Sequence, residues 1–161
     1  MFLTKKRSIK KSIIREIPII QIGLPNCVGN IYTNESIKSL FECFERKGTC
    51  LGELISDDGG EFYEKTSLSD VTHRVITLFI EDDFVVAVIE FLENQKAKDA
   101  IKLLDEGLVT LRPTIEGSVD LENKEIKIKE LIGIDFLPSD ERTVPREIKW
   151  IGISQSNNCN I

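Results

Sequence analysis

The sequence is poor in the residue types from which most catalytic and metal sites are built. It contains one histidine, His73, and its four cysteines include no C-x-x-C pair. Zinc sites commonly use closely spaced cysteines and histidines, so we expect Cys27, Cys43, Cys50 and Cys159 to be reduced packing residues, with no metal or cofactor bound. No apolar run approaches the ~20 residues of a membrane-spanning helix, which predicts no membrane partner.

Two other common patterns are also missing. The segment Gly23–Gly29 lacks the Lys-Ser/Thr that completes a phosphate-binding loop, which argues against a nucleotide-hydrolysing enzyme. The apolar stretch near the N-terminus is interrupted by Arg15, Glu16 and Pro18, and no small-residue cleavage site follows it. This pattern does not fit a secretory signal, so we expect a cytoplasmic location.

Charge is distributed unevenly along the 161 residues. Six of the 21 Lys and Arg residues lie within residues 1–15, which contain no acid, so the rest of the chain has 15 cations against all 27 Asp and Glu residues. The basic arm consists of Lys5, Lys6, Arg7, Lys10, Lys11 and Arg15. Such an arm binds nucleic acid or an acidic protein surface, or is simply a solvated terminus.

The length fits one domain with its own apolar core. We expect a basic arm over residues 1–15, a single domain over 16–153 and a polar tail over 154–161. Within the domain, the β-branched residues of 13–28 predict one or two short strands whose prolines place them at a sheet edge. Residues 55–70 are polar and contain two adjacent glycines, which predicts a long loop.

The other elements follow from periodicity and capping residues. Thr33 or Asn34 can cap a helix that ends near Gly48, and Asn94 can cap a second helix that ends at Gly107. The predicted strands are Val71–Ile80, Phe84–Leu92, Leu108–Ile115 and Lys124–Phe136. The first two form a hairpin and, being apolar at successive positions, are expected to be covered on both faces. The pattern predicts an α+β fold with an antiparallel or mixed sheet, or a small barrel, flanked by two main helices.

Candidate catalytic residues are few. Any mechanism with a histidine base must use His73, although a strand histidine can equally be a packed, hydrogen-bonded residue. The nucleophile candidates are Thr110, Thr114, Ser118 and Cys50, and their spacing does not distinguish among them.

Arg112 is the main candidate for ligand binding. Its planar guanidinium can bind a carboxylate or phosphate, although a surface salt bridge would use the same residue. Thr114, Asp57 and Asp58 are further candidates for a ligand or partner site. The acidic pairs 57–58 and 82–83 are expected to be turn residues rather than metal ligands.

Several segments, taken in order, resemble the prohead maturation proteases of tailed phages, whose fold is of the assemblin type. These segments are Gly29–Ile37, Leu51–Leu54, Asp82–Val85, Glu106–Asp120 and Leu131–Pro138. The resemblance covers about residues 29–138 and implies a prohead-protease-like fold. Where the family has its catalytic histidine and proline, this chain continues Ile55-Ser-Asp57, and Leu111–Thr114 stands where the family has its nucleophilic serine. The resemblance thus implies a fold that has lost its protease chemistry.

Three functions remain open on this basis. The first is a non-enzymatic phage protein of head assembly, in the virion or host cytoplasm, that binds capsid, scaffold or protease proteins and forms a homo-oligomer or contacts nucleic acid through its arm. The second is an anti-defence protein that binds a nucleotide immune signal between Arg112 and the 55–70 loop. The third is an active serine-type peptidase in which His73 and Thr114 replace the family's catalytic pair.

Overall fold

The computed structural model describes residues 12–26, 28–55 and 68–139, together with the backbone of residues 148–150. Several of the predictions above lie outside these residues. They concern Lys5, Lys6, Arg7, Lys10, Lys11, Cys27, Asp57, Asp58, Cys159, most of the 55–70 loop and the tail 154–161.

Two helices and seven strands make up the described fold. In chain order they are β1 (Ile14–Gln21), α1 (Asn34–Lys47), β2 (Cys50–Glu53), β3 (Val71–Glu81), β4 (Phe84–Phe91), α2 (Gln95–Asp105), β5 (Val109–Val119), β6 (Ile126–Pro138) and β7 (Ile148–Trp150). One antiparallel sheet has the order β1-β4-β3-β2, and a second has the order β6-β5-β7. Only the β5–β7 pair is parallel. The α+β class, with two helices and mostly antiparallel strands, is therefore confirmed.

Both helices begin at the predicted capping residues. The hydroxyl of Thr33 accepts a hydrogen bond from the backbone N–H of Ser36, whose own hydroxyl accepts from the N–H of Thr33. This reciprocal capping box satisfies two N–H groups that have no partner within the helix. The side chain of Asn94 caps α2 by accepting from the N–H of Ala97, and it also donates to the carbonyl of Val71. Asn94 thus anchors α2 to the start of β3.

The two sheets approach each other along both of their edges. On one side, Leu54 forms a parallel bridge with Phe136, whose carbonyl accepts a 2.9 Å hydrogen bond from the N–H of Ile55. On the other side, Ile19 is the extra residue of a β-bulge in β1, and its carbonyl accepts a 3.0 Å bond from Nη1 of Arg112 in β5. The strands therefore surround one core, which is compatible with the predicted barrel-like arrangement.

Two predictions about the strands need correction, and one strand was not predicted. β3 is not covered on both faces, because Arg74, Ile76, Thr77 and Ile80 are exposed. The reason is that the side chains of a strand point to opposite faces, and only the face that carries the buried Val75 and Leu78 packs on the core. β5 continues beyond Ile115 to Val119, since its pairing with β6 persists through the Gly-Ser step. The short strand β7 was not predicted.

Replacing Arg112 with alanine should lower the free energy of unfolding by about 1 kcal/mol, because the Ile19 carbonyl loses its link to β5. Chemical denaturation of the two proteins measures this difference. Arg15→Ala is the matched control, because Arg15 makes only a 3.6 Å ion pair with Asp105 between two exposed side chains. Equal effects of the two substitutions would show that the Arg112 contact does not join the sheets.

Candidate functional site: a buried polar cluster

Five polar side chains are buried where β2, β3, β5 and β6 meet, and we call them the buried polar cluster. Its members are Thr72 and His73 (both 0% exposed), Asp135 (2%), Thr114 (5%) and Glu53 (8%). Polar groups withdrawn from water destabilise a fold unless they are hydrogen-bonded, so the cluster has to be satisfied internally. The hydrogen bonds within the cluster determine which of its side chains could take part in a reaction.

A β-bulge places Thr72 beside His73. Gly52 of β2 pairs with His73, and the next residue, Glu53, pairs with Val71, so Thr72 is the extra residue on β3. Successive strand residues normally point to opposite faces, and a bulge changes that alternation. Both side chains are consequently buried, and the Thr72 hydroxyl lies 2.7 Å from Nδ1 of His73.

The hydrogen bonds of His73 determine its tautomer. Nε2 lies 2.7 Å from the carbonyl oxygen of Ile134. Because a carbonyl only accepts, Nε2 carries the proton and donates it. In the neutral ring Nδ1 is then an acceptor, and the Thr72 hydroxyl donates to it. Both ring nitrogens are therefore engaged within the protein.

The surroundings of His73 keep it neutral. Burial lowers the pKa of His73 from 6.5 to about 4, and the hydrogen bond to Ile134 only partly opposes this shift. The ring packs edge-on against Phe136, with centroids 4.8 Å apart, and against Phe91 at 6.1 Å. The two phenyl rings are themselves stacked. His73 is thus enclosed by apolar rings on the sides that its hydrogen bonds leave open.

Asp135 connects three strands through its carboxyl group. Oδ1 accepts a 2.8 Å bond from the backbone N–H of Glu53 in β2, and Oδ2 accepts a 2.5 Å bond from the hydroxyl of Thr114 in β5. Burial raises the pKa of Asp135 to about 6, and the nearby Glu53 carboxyl adds to the increase, whereas the two hydrogen bonds oppose it. The desolvation of the carboxylate outweighs its hydrogen bonds.

Gly52 makes room for the histidine ring. A Cβ at this position would overlap both the Ile134 carbonyl oxygen and the His73 ring. A glycine inside a strand often marks such a close approach. Only glycine therefore allows the His73–Ile134 hydrogen bond to cross between the sheets.

The predicted catalytic residues converge only in part. His73 bonds to Ile134 and Thr114 bonds to the adjacent Asp135, but no hydrogen bond joins His73 to Thr114, both of which are described. Ser118 is half-buried near the end of β5, where it pairs with Lys127 of β6. Arg112 has an exposed side chain bonded to the Ile19 carbonyl rather than to an acid.

The cysteine candidate is also unsuited to attack a substrate. Burial, above all, raises the pKa of Cys50 to about 12, and the Asp135 charge contributes, although Lys47 acts in the opposite direction. A thiol in this state carries almost no thiolate, the form that reacts. Cys43 is likewise buried and free.

Sequence reasoning missed Asp135, Glu53 and Gly52 as members of one site. The signal for Asp135 was a single carboxylate inside the apolar run Leu131–Pro138, because a charged residue buried in a strand needs partners. The glycine of Leu51–Leu54 was a second signal, since a glycine within a strand indicates a close backbone approach.

The described residues contain no group of three or more His, Cys, Asp or Glu side chains arranged to hold a metal ion. No helix among them has the length and apolar character needed to cross a membrane.

The chain was compared with known protein families, curated proteins and solved structures, and none of the three comparisons finds a significant match. The resemblance to prohead proteases therefore stays a prediction.

Gly52→Ala should lower the free energy of unfolding by about 3 kcal/mol, because the added methyl group overlaps the His73 ring and the Ile134 carbonyl. Gly48→Ala is the matched control, since Gly48 has a positive φ of 74° but open space around it. The control should cost about 1–2 kcal/mol through backbone strain alone. Denaturant unfolding measures both, and a smaller loss for Gly52→Ala than for Gly48→Ala would contradict the proposed packing.

His73→Gln should remove an acid-sensitive component of stability. Since the pKa of His73 is about 4 in the folded protein and 6.5 when unfolded, its contribution is complete above pH 6.5 and is lost as pH falls toward 4, by about 3 kcal/mol in all. Glutamine keeps a donor for Ile134 but does not titrate in this range.

Denaturant unfolding of both proteins from pH 7 to pH 4 tests this. Asp135 has a raised pKa, so its own effect has the opposite sign, with stability falling as pH rises from 3.8 to about 6. That effect is common to both proteins and cancels in their difference. The advantage of wild type over the variant should shrink as pH falls, and a constant difference would show that His73 titrates normally.

Proposed function

We propose that the protein acts by binding a protein partner and that its catalytic-looking residues are structural. The observation that carries this proposal is the state of His73, the only histidine in the sequence. Its Nε2 donates to the Ile134 carbonyl, and the hydroxyl bonded to its Nδ1 is that of Thr72, which is 0% exposed, so substrate cannot reach the hydroxyl that this base contacts. A general base must be within hydrogen-bond reach of the group that it deprotonates.

The nucleophile candidates support the same proposal. The Thr114 hydroxyl is buried and donates its proton to Asp135, a carboxylate held in turn by the backbone of Glu53. Cys50 is buried as a neutral thiol. These contacts join strands of two sheets, a role that accounts for the polar groups without any reaction.

The prohead-protease resemblance suggests the setting in which such a binding protein would work. Three of the five segments that carry it are neighbours in the fold, because β5 pairs with β6 and Leu54 bridges to Phe136: Leu51–Leu54, Glu106–Asp120 and Leu131–Pro138. Next to them, where the family has its histidine, Ile55 is buried and its N–H donates to the Phe136 carbonyl. A buried apolar residue in place of the family's catalytic histidine supports the proposal of a protease-like fold without cleavage activity.

We therefore propose a role in phage head assembly, through contacts with the capsid protein, the scaffold or the active protease. This proposal includes a prohead-protease-like fold and a location in the virion or the host cytoplasm. The contact would be non-enzymatic, so the polypeptide chain of the partner would not be cleaved.

Two measurements test this function together. The tagged chain, co-expressed with the head proteins of the same phage, should co-purify with at least one of them, and intact-mass spectrometry should show that partner uncut. His73→Gln should retain the partner to the same extent, because the histidine has no role in the contact.

Cleavage of a head protein that is abolished by His73→Gln would overturn the proposal in favour of the peptidase. Failure to retain any head protein would overturn the proposed role in phage head assembly. The unfolding curve of His73→Gln at pH 7 provides the control for an intact fold.

A further inference from the structure

The outer half of β3 forms an open sheet edge beside helix α1. β2 begins at Cys50, opposite Val75, so residues 76–81 have β4 on one side and, within the described part of the chain, no strand on the other. Ile76 and Ile80 of this segment are 45% and 54% exposed. An unpaired edge presents backbone N–H and C=O groups that can pair with another extended chain.

A groove of about 360 Å³ runs between this strand and α1. It is lined by Asn34, Ile37, Lys38, Phe41, Glu42, Glu45 and Ile80. The helix residues recur every three to four positions and therefore form one stripe of α1. From residue 34 to residue 45 the stripe is about 16 Å long, which matches about five residues of extended chain.

The groove has an apolar floor and a mainly acidic rim. Ile37 is buried and Phe41 half-buried at its base, whereas Glu42 and Glu45 on α1 are exposed, with Lys38 as the one cation in the lining. Directly after Ile80, the turn adds three more exposed carboxylates, Glu81, Asp82 and Asp83. The complementary ligand carries positive charge and intersperses it with apolar side chains.

We propose that the groove between α1 and residues 76–81 of β3 binds an extended, basic segment of a partner protein as an additional strand. Such a segment would occupy the space beyond the start of β2, with backbone hydrogen bonds to β3. Its apolar side chains would cover Ile80 and Phe41, and its Lys or Arg residues would face Glu42, Glu45 and the turn. This inference rests on the proposed binding role and names the surface that performs it.

The probe is a synthetic peptide, Lys-Val-Lys-Ile-Lys-Val-Lys, added to the ¹⁵N-labelled full chain. We expect saturable shifts of the backbone amide signals of residues 76–81 and of α1, with an affinity that falls as salt rises. The same peptide with Glu in place of every Lys should not bind. Absence of binding by the basic peptide, or equal binding by the acidic one, would overturn the proposal.

Substitutions locate the site. Ile80→Ser should weaken binding about tenfold, because it removes apolar contact area without changing charge. Leu108→Ser is the matched control, since Leu108 is 53% exposed just after α2, and it should leave the affinity unchanged. Combined replacement of Glu42 and Glu45 by glutamine should weaken binding about two- to fivefold per residue. Equal effects of the two serine variants would place the peptide elsewhere.

N-methylated peptides test whether the peptide backbone pairs with β3. Methylating alternate peptide nitrogens on the edge that faces β3 removes hydrogen-bond donors but keeps every charge, and it should weaken binding about fivefold or more. Unchanged affinity would show that only charge holds the peptide and would contradict strand addition. Because the peptide assay uses no head protein, its outcome is separate from that of the co-purification test.

Discussion

The hydrogen bond from Nε2 of His73 to the Ile134 carbonyl connects the four-stranded sheet with β6, and the surrounding structure is organised around it. The bond requires Gly52, whose missing side chain leaves space for the ring. It also requires the bulge at Thr72, which brings a hydroxyl to the other ring nitrogen. Next to it, Asp135 joins β2 to β5 through the backbone and side-chain donors of those strands. These polar contacts add to the Ile55–Phe136 and Arg112–Ile19 hydrogen bonds, which also join the two sheets.

The same contacts support the proposal that the histidine, the threonine and the carboxylate of the cluster are structural rather than catalytic. Catalysis needs a base that can gain and lose a proton next to a nucleophile that substrate can reach. Here burial favours the neutral histidine and works against the ionised Asp135, and both side chains are almost fully enclosed. Shifted pKa values often mark active sites, but buried structural networks produce them as well. The hydrogen-bond partners distinguish the two cases.

In the proposed binding role, the partner contacts the surface of the protein rather than its buried polar cluster. One edge of β3 pairs with β4, and the first half of its other edge pairs with β2, but β2 begins too late in the chain to pair with residues 76–81. Helix α1 lies beside this open segment and contributes carboxylates along its rim. Five of the 27 acidic residues of the sequence, Glu42, Glu45, Glu81, Asp82 and Asp83, thus lie where the backbone is also available for pairing.

The sequence by itself determined the two helices with their caps at Thr33 and Asn94, and the hairpin turn at Asp82 and Asp83, because capping and periodicity depend on residues a few positions apart. It also identified His73 as either the only candidate base or a packed strand residue. Only the tertiary structure shows that the ring is buried and hydrogen-bonded, because its partner Ile134 lies 61 positions away in the chain. Burial, pKa and open strand edges depend on neighbours that are distant in the chain, and local pattern does not specify them.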